Sequence, residues 1–121
     1  GGKRMSLYVF ALDGKNGLPD KELLNLLCAR IGFNRIFCAP ECVFAGKDIS
    51  FCLNIPFQIL ESLSEILPDE SERAFSLRIK KEKDILLQKE EHSILLLPLN
   101  AAKVFCGLKT VPCAGYSEVL E

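Results

Sequence analysis

At 121 residues and 49% hydrophobic composition, the chain is sized for one domain with a real core. Its 15 basic and 16 acidic side chains leave a net charge of −1, which excludes a strong general attraction to nucleic acid or a membrane surface. No apolar run nears the roughly 18–20 residues of a bilayer span, and no long apolar region follows Gly1-Gly2-Lys3-Arg4, so the cytoplasm is the expected location.

Leu7 to Leu12 reads as a short strand with two apolar faces, Leu7, Val9 and Ala11 on one, Tyr8, Phe10 and Leu12 on the other. An aromatic outer face is either a platform for a ligand or a surface that the chain covers itself. Asp13 to Gly17 is a turn-rich loop, after which Pro19 and Asp20 suit the first turn of a helix. Leu24, Leu27, Cys28 and Ile31 follow the spacing of one buried stripe, and Gly32 is placed to end that helix. Arg35 to Ala39 and Cys42 to Ala45 are short strand candidates broken by Pro40-Glu41. Gly46-Lys47 then turns the chain into a longer expected strand, Ile49 to Ile55.

Pro56 opens a second expected helix whose apolar face is Ile59, Leu60, Leu63, Ile66 and Leu67, stopped by Pro68. Beyond a polar loop, Phe75, Leu77 and Ile79 alternate with Ser76, Arg78 and Lys80 in the pattern of a half-exposed strand. Residues 1–80 thus spell β-α-β-β-α-β, an α+β fold with a ferredoxin-like core. Residues 81–121 form a C-terminal extension packed on that core, within a single domain spanning 1–121. Ile85 to Gln88 and Ser93 to Leu97 suggest a hairpin. Asn100 caps a short helix through Cys106, Leu108 to Val111 is one more strand, and Ala114 onward is a tail.

Two motifs carry a family resemblance. Leu7-Tyr8-Val9-Phe10-Ala11-Leu12 resembles the first ribonucleoprotein motif of RNA-recognition-motif domains, with Ala11 in place of the usual Asn. Lys47 to Asn54 is similar to the second motif in its basic start, its small Ser50 and its aromatic Phe51, with Ile49 and Asn54 where aromatics are usual. Residues 4–80 also resemble the C-terminal RNA-binding domain of bacterial DEAD-box RNA helicases, through Gly14-Lys15-Asn16-Gly17-Leu18 and through Ser50-Phe51 followed by Pro56. This resemblance implies a domain that docks on structured RNA and carries no ATPase. Bases would stack on Tyr8, Phe10 and Phe51, each worth roughly 1–3 kcal/mol, and Lys15, Lys47, Arg78 and Lys80 would contact phosphates.

A second reading competes for the same residues. The hairpin segments Ile85-Leu86-Leu87 and Ile94 to Leu97 need an apolar surface, and the outer face of the first strand offers one. Roofing that face makes the aromatics core and leaves a protein–protein interaction module, such as a small subunit of an assembly. Its contacts would run through a sheet edge, a homodimer among them, or through the outer faces of its helices. A small-ligand regulatory domain binding at a dimer interface is a third reading.

The cysteines at 28, 38, 42, 52, 106 and 113 read as reduced thiols, since Cys28 and Cys52 fall inside apolar patterns and no export signal is seen. Cys38 with Cys42 and Cys106 with Cys113 supply enough thiolates for a tetrahedral zinc site, yet neither pair has the tight two-residue knuckle spacing. No metal or other cofactor is therefore expected. Catalysis is not expected either. His92 stands beside Glu90 and Glu91 with no cysteine close in sequence, and Gly14 to Gly17 is too short for a phosphate-binding loop.

Overall fold

Three apolar segments without polar interruption, Leu7–Leu12, 36–39 and 94–97, form the centre of the sheet in the computed structural model, which describes residues 6–13 and 21–121. Unbroken apolar strands belong where both sheet faces are covered, and parallel sheets provide that setting. The strands are β1 (Ser6–Leu12), β2 (Arg35–Cys38), β3 (Phe57–Ile59), β4 (His92–Pro98) and β5 (Ser117–Leu120). They lie in the order β3-β2-β4-β1-β5. The first four pair in parallel, while β5 runs antiparallel along β1. Four helices accompany them: α1 (Lys21–Ile31), α2 (Val43–Leu53), α3 (Glu72–Leu87) and α4 (Leu99–Phe105). The chain is thus α+β in the broad sense, with a mixed five-stranded sheet.

Connection handedness explains the layers. The path β1 to β2 to β3 moves one way across the sheet, and right-handed crossovers then put α1 and α2 on one face. The return from β3 to β4 puts α3 on the other. Contacts agree: α1 packs on α2, α3 packs on α4, and α4 lies against β1 and β4. Ile94, Leu95, Leu96 and Leu97 in the middle strand are all fully buried, as are Val9 and Ala11 beside them. Register places Val9 opposite Leu95 and Ile36 opposite Ile94.

This is not the ferredoxin-like arrangement, in which strands one and three lie side by side. Here β1 is flanked by β4 and β5, and β3 is at the far edge. The strand from residues 92–98 therefore lies between two from the first third of the chain.

Several local expectations are corrected. The expected strand at 49–55 falls largely in α2, because Ala45, Gly46 and Ile49 are buried together at helical spacing. Asn54 ends that helix in the left-handed region at φ 54. The expected strand at Cys42 to Ala45 is a 3-10 turn running into the start of α2. After Pro56 the backbone is extended through Ile59, and only a 3-10 turn at Glu61–Leu63 falls where the second helix is expected. Ile36 N–H donates to Pro56 O at 2.9 Å and Leu60 N–H to Cys38 O at 2.9 Å, tying β3 to β2. The strand expected at 75–80 and the hairpin arm at 85–88 merge into α3. Ser71 Oγ caps it by accepting from Ala74 N–H at 3.1 Å, and Phe75, Ile79 and Leu86 form its buried stripe. No strand occurs at 108–111, and the expected tail supplies β5 instead.

Other expectations match. β1 spans the first apolar segment, and α1 ends at Gly32, whose φ is 69. β2 starts at Arg35, β4 covers 93–97, and α4 occupies the predicted short helix. The parallel strands aim their C-terminal ends, Leu12, Cys38, Ile59 and Pro98, at one side of the molecule.

Candidate functional site

The residues expected to contact RNA are dispersed. Phe10 is 4% exposed and belongs to the core. Tyr8 is half-buried, edge-on to Phe33 at 4.9 Å between ring centroids. Lys15 lies outside the described residues, as does the whole Gly14 to Leu18 segment that carried part of the helicase resemblance. Lys80 is exposed on α3. Phe51 is 89% exposed, on α2 and not on the sheet, with Lys47 one turn before it. Tyr8 and Phe51 thus do not share an open sheet face. Among the described residues of that set, only Lys47 and Phe51 are brought together.

Arg78 is committed elsewhere. Its Nε and Nη2 donate to the Glu70 carboxylate at 2.9 and 2.6 Å. Its Nη1 donates to the carbonyls of Ser62 at 2.8 Å and Ser64 at 2.9 Å, and Nη2 also to that of Glu65 at 3.2 Å. A guanidinium has five N–H donors, and these bonds use them all. None is left for a phosphate. The Glu70 carboxyl is held below its ordinary value of 4.5, chiefly by the hydrogen bond from Arg78. The guanidinium carbon also lies 5.2 Å from the Phe75 ring centroid.

The loop so fixed reaches across the C-terminal ends of the strands. Glu65 N–H donates to Glu41 Oε2 at 2.7 Å. The Glu65 carboxylate accepts from Ala101 N–H at 2.7 Å and from Asn100 Nδ2 at 2.7 Å, so it caps the start of α4 from a distance in sequence. At a position where open parallel sheets commonly receive ligands, this chain places its own acidic side chain.

The unpartnered surface is on α2. Phe44, Lys47 and Phe51 are spaced by three and four residues, so they form one stripe. Phe44 is 82% exposed, nearly as open as Phe51. The two rings stand about 10 Å apart along the axis at 1.5 Å rise per residue. Phe44 is not among the expected contact residues, because 42–45 reads as a strand; the signal that finds it is the helical spacing to Phe51. Beneath the stripe the helix is held closely. A Cβ at Gly46 would sit 3.0 Å from Cys38 Sγ, so only glycine fits this approach to β2 without a shift. Ser50 Oγ donates to the Ile55 carbonyl, fixing the end of α2 where it turns into β3.

Cysteine chemistry is muted. Burial pushes the Cys38 thiol up to about 11 and Cys42 to about 12, with Cys38 itself adding to the rise at Cys42. Cys106 is pushed up to about 12, first by burial and then by Glu118. Cys52 and Cys113 are exposed. Among the described residues no group of three or more His, Cys, Asp or Glu side chains is placed to hold a metal. His92 opens β4 and exchanges bonds with Asn34, its N–H donating to Asn34 Oδ1 at 3.2 Å. No described helix is long and apolar enough to cross a membrane. Compared with known proteins, the chain matches no family model and no curated sequence.

Proposed function

We propose that this domain is a non-catalytic protein-recognition module that docks through the α2 stripe of Phe44, Lys47 and Phe51. The observation that carries the reading is the pair of phenylalanines exposed by 82% and 89% on a helix whose opposite side is locked to the sheet. Scattered exposed apolar residues are normal, but two aromatic rings aligned on one rigid stripe are the usual anchors of an interface. Burying both removes on the order of 300 Å² of apolar surface, a gross gain near 7 kcal/mol before association costs.

The partner is a protein segment with an apolar groove and a carboxylate facing Lys47. RNA is the competing ligand, since Lys47 and Phe51 were also expected to contact it. Aromatic rings at this spacing can stack bases, but Arg78 has no donor to offer a phosphate and the net charge of the chain is −1.

The test compares the wild-type chain with Phe44→Ser/Phe51→Ser, using Lys80→Ser as a surface control. Proteins retained by wild type and control, lost by the double variant and cross-linked through Lys47 support protein recognition. Retention by the double variant refutes it. Structured RNA is titrated in parallel at two salt concentrations. Salt-sensitive RNA binding that disappears in the double variant overturns the protein reading in favour of RNA.

A further inference from the structure

A concave site lies on the other helix layer, built from residues that the α2 stripe does not use. It is a cleft of about 260 Å³ between the start of α3, the helix α4 and the loop preceding α3. Ile66, Phe75 and Val104 form its apolar wall. Glu72, Ser76, Asn100 and Lys103 supply its polar lining. The volume sits near the lower end of small-molecule sites, about 300 Å³, so the ligand is small.

Its charges are arranged unusually. Glu72 and Lys103 both line the cleft, yet no ion pair joins them or engages either one among the described residues. Two opposite charges that line one part-apolar cleft without pairing match a ligand that carries both signs. Asn100 adds an acceptor to the lining. Its Nδ2 is committed to Glu65 at 2.7 Å, which leaves the amide oxygen to receive a donor.

The walls are fixed before any ligand arrives. Phe75 is 6% exposed and lies under the Arg78 guanidinium, itself tied to the loop that carries Ile66. Asn100 is anchored through the Glu65 cap, and α3 packs directly on α4. A preformed site avoids the ordering cost that weakens binding to mobile surfaces.

We propose that this cleft binds a free α-amino acid with an apolar side chain. Its carboxylate meets Lys103, its ammonium group meets Glu72 and the Asn100 oxygen, and its side chain lies on Ile66, Phe75 and Val104. Other small-ligand classes fit less well. A nucleotide exceeds the volume and needs more than one cation, a dicarboxylate faces Glu72, and a fatty acid needs a longer apolar channel.

Calorimetric titration of the full chain with L-leucine and L-phenylalanine tests this, with N-acetyl-leucine and leucinamide as probes blocked at one end. Saturable binding is expected for at least one free amino acid, with each block weakening it by about tenfold, the effect of losing one charge-assisted contact. Lys103→Met is expected to weaken leucine while erasing its advantage over leucinamide. Glu72→Gln does the same with respect to N-acetyl-leucine. Absence of saturable binding up to millimolar free amino acid overturns the proposal. So does equal binding of free and blocked forms to the wild-type chain, a comparison that needs no variant to fold.

Discussion

Replacing Arg78 with methionine asks whether one guanidinium holds the segment between β3 and α3. Methionine keeps an apolar stem against Phe75 and deletes the donors. The carbonyls of Ser62, Ser64 and Glu65 then lose partners now at 2.8, 2.9 and 3.2 Å. At about 0.5–1.5 kcal/mol net per bond, with access of water softening the loss, the expected destabilisation is about 2–4 kcal/mol. For a domain of this size that is roughly 4 °C per kcal/mol, so Tm should fall by about 8–16 °C in circular-dichroism melts at pH 7. Arg78→Lys should fall between, because a single ammonium cannot span Glu70 and three carbonyls. The difference also depends on pH. Glu70 has a folded pKa lowered below its ordinary 4.5, so its contribution is fully present above that value and is lost as pH falls through the folded value. The gap between wild type and variant should therefore narrow below about pH 4.5. A variant within about 0.5 kcal/mol of wild type would refute the clasp, since that is the range of ordinary surface changes. A gap that stays constant from neutral pH into acid would remove Glu70 from the account.

Glu65→Ala should cost about 1–2 kcal/mol in urea unfolding by uncapping α4, and Glu65→Gln less, because an amide oxygen can still accept from Ala101 N–H. Gly46→Ala should be neutral to destabilising by about 2 kcal/mol, as overpacking against Cys38 Sγ opposes the gain in helix propensity. In a Cys38→Ala background the same change should stabilise, and additive effects in that double-mutant cycle would contradict the contact. Phe44→Ser/Phe51→Ser should leave stability within about 0.5 kcal/mol of wild type, and a cooperative loss of fold would mean that the rings are structural. Among the described cysteines, Cys52 and Cys113 should alkylate first at pH 8.5, with Cys38, Cys42 and Cys106 protected by burial and raised thiol pKa values. Equal labelling of Cys42 and Cys52 by peptide mass would count against the packing around β2.

Segments with a single interpretation are legible in composition and spacing. Leu7–Leu12 and 94–97 are too apolar for anything but buried elements, and Gly32 marks the end of α1 because only a residue tolerant of positive φ suits that cap. What the sequence could not convey was pairing. The apolar outer face of β1 looked surplus beside an assumed half-exposed sheet, whereas a parallel sheet with helices on both sides uses every such residue. A strand at 75–80 leaves the true partner of β1 without a place, since α3 is the crossover that brings β4 back beside it. Alternation of Phe75, Leu77 and Ile79 misled because Leu77 is 58% exposed and belongs to no buried stripe. Removing it leaves Phe75 and Ile79 four residues apart, the spacing of a helix.

The same kind of exception hid the candidate interface. In α2 the buried set is Ala45, Gly46 and Ile49, while the rings of Phe44 and Phe51 face outward. Hydrophobic patterning assumes that the larger apolar residues are inside, so it weights the two rings most heavily and turns the segment into a strand with Ile49, Phe51 and Leu53 on one face. Reversing that assumption gives a coherent helix whose inner side is small enough to approach β2 at Gly46 and whose outer side carries the aromatics. Leaving both rings outside is unfavourable for an isolated domain, because each ring forfeits the 1.5–3 kcal/mol that burial would return. A sequence that keeps two such rings on one stripe, with Lys47 between them, makes physical sense when that surface is covered part of the time. The residues that broke the local reading are therefore the ones that carry the functional proposal, as expected where a local rule yields to an external contact.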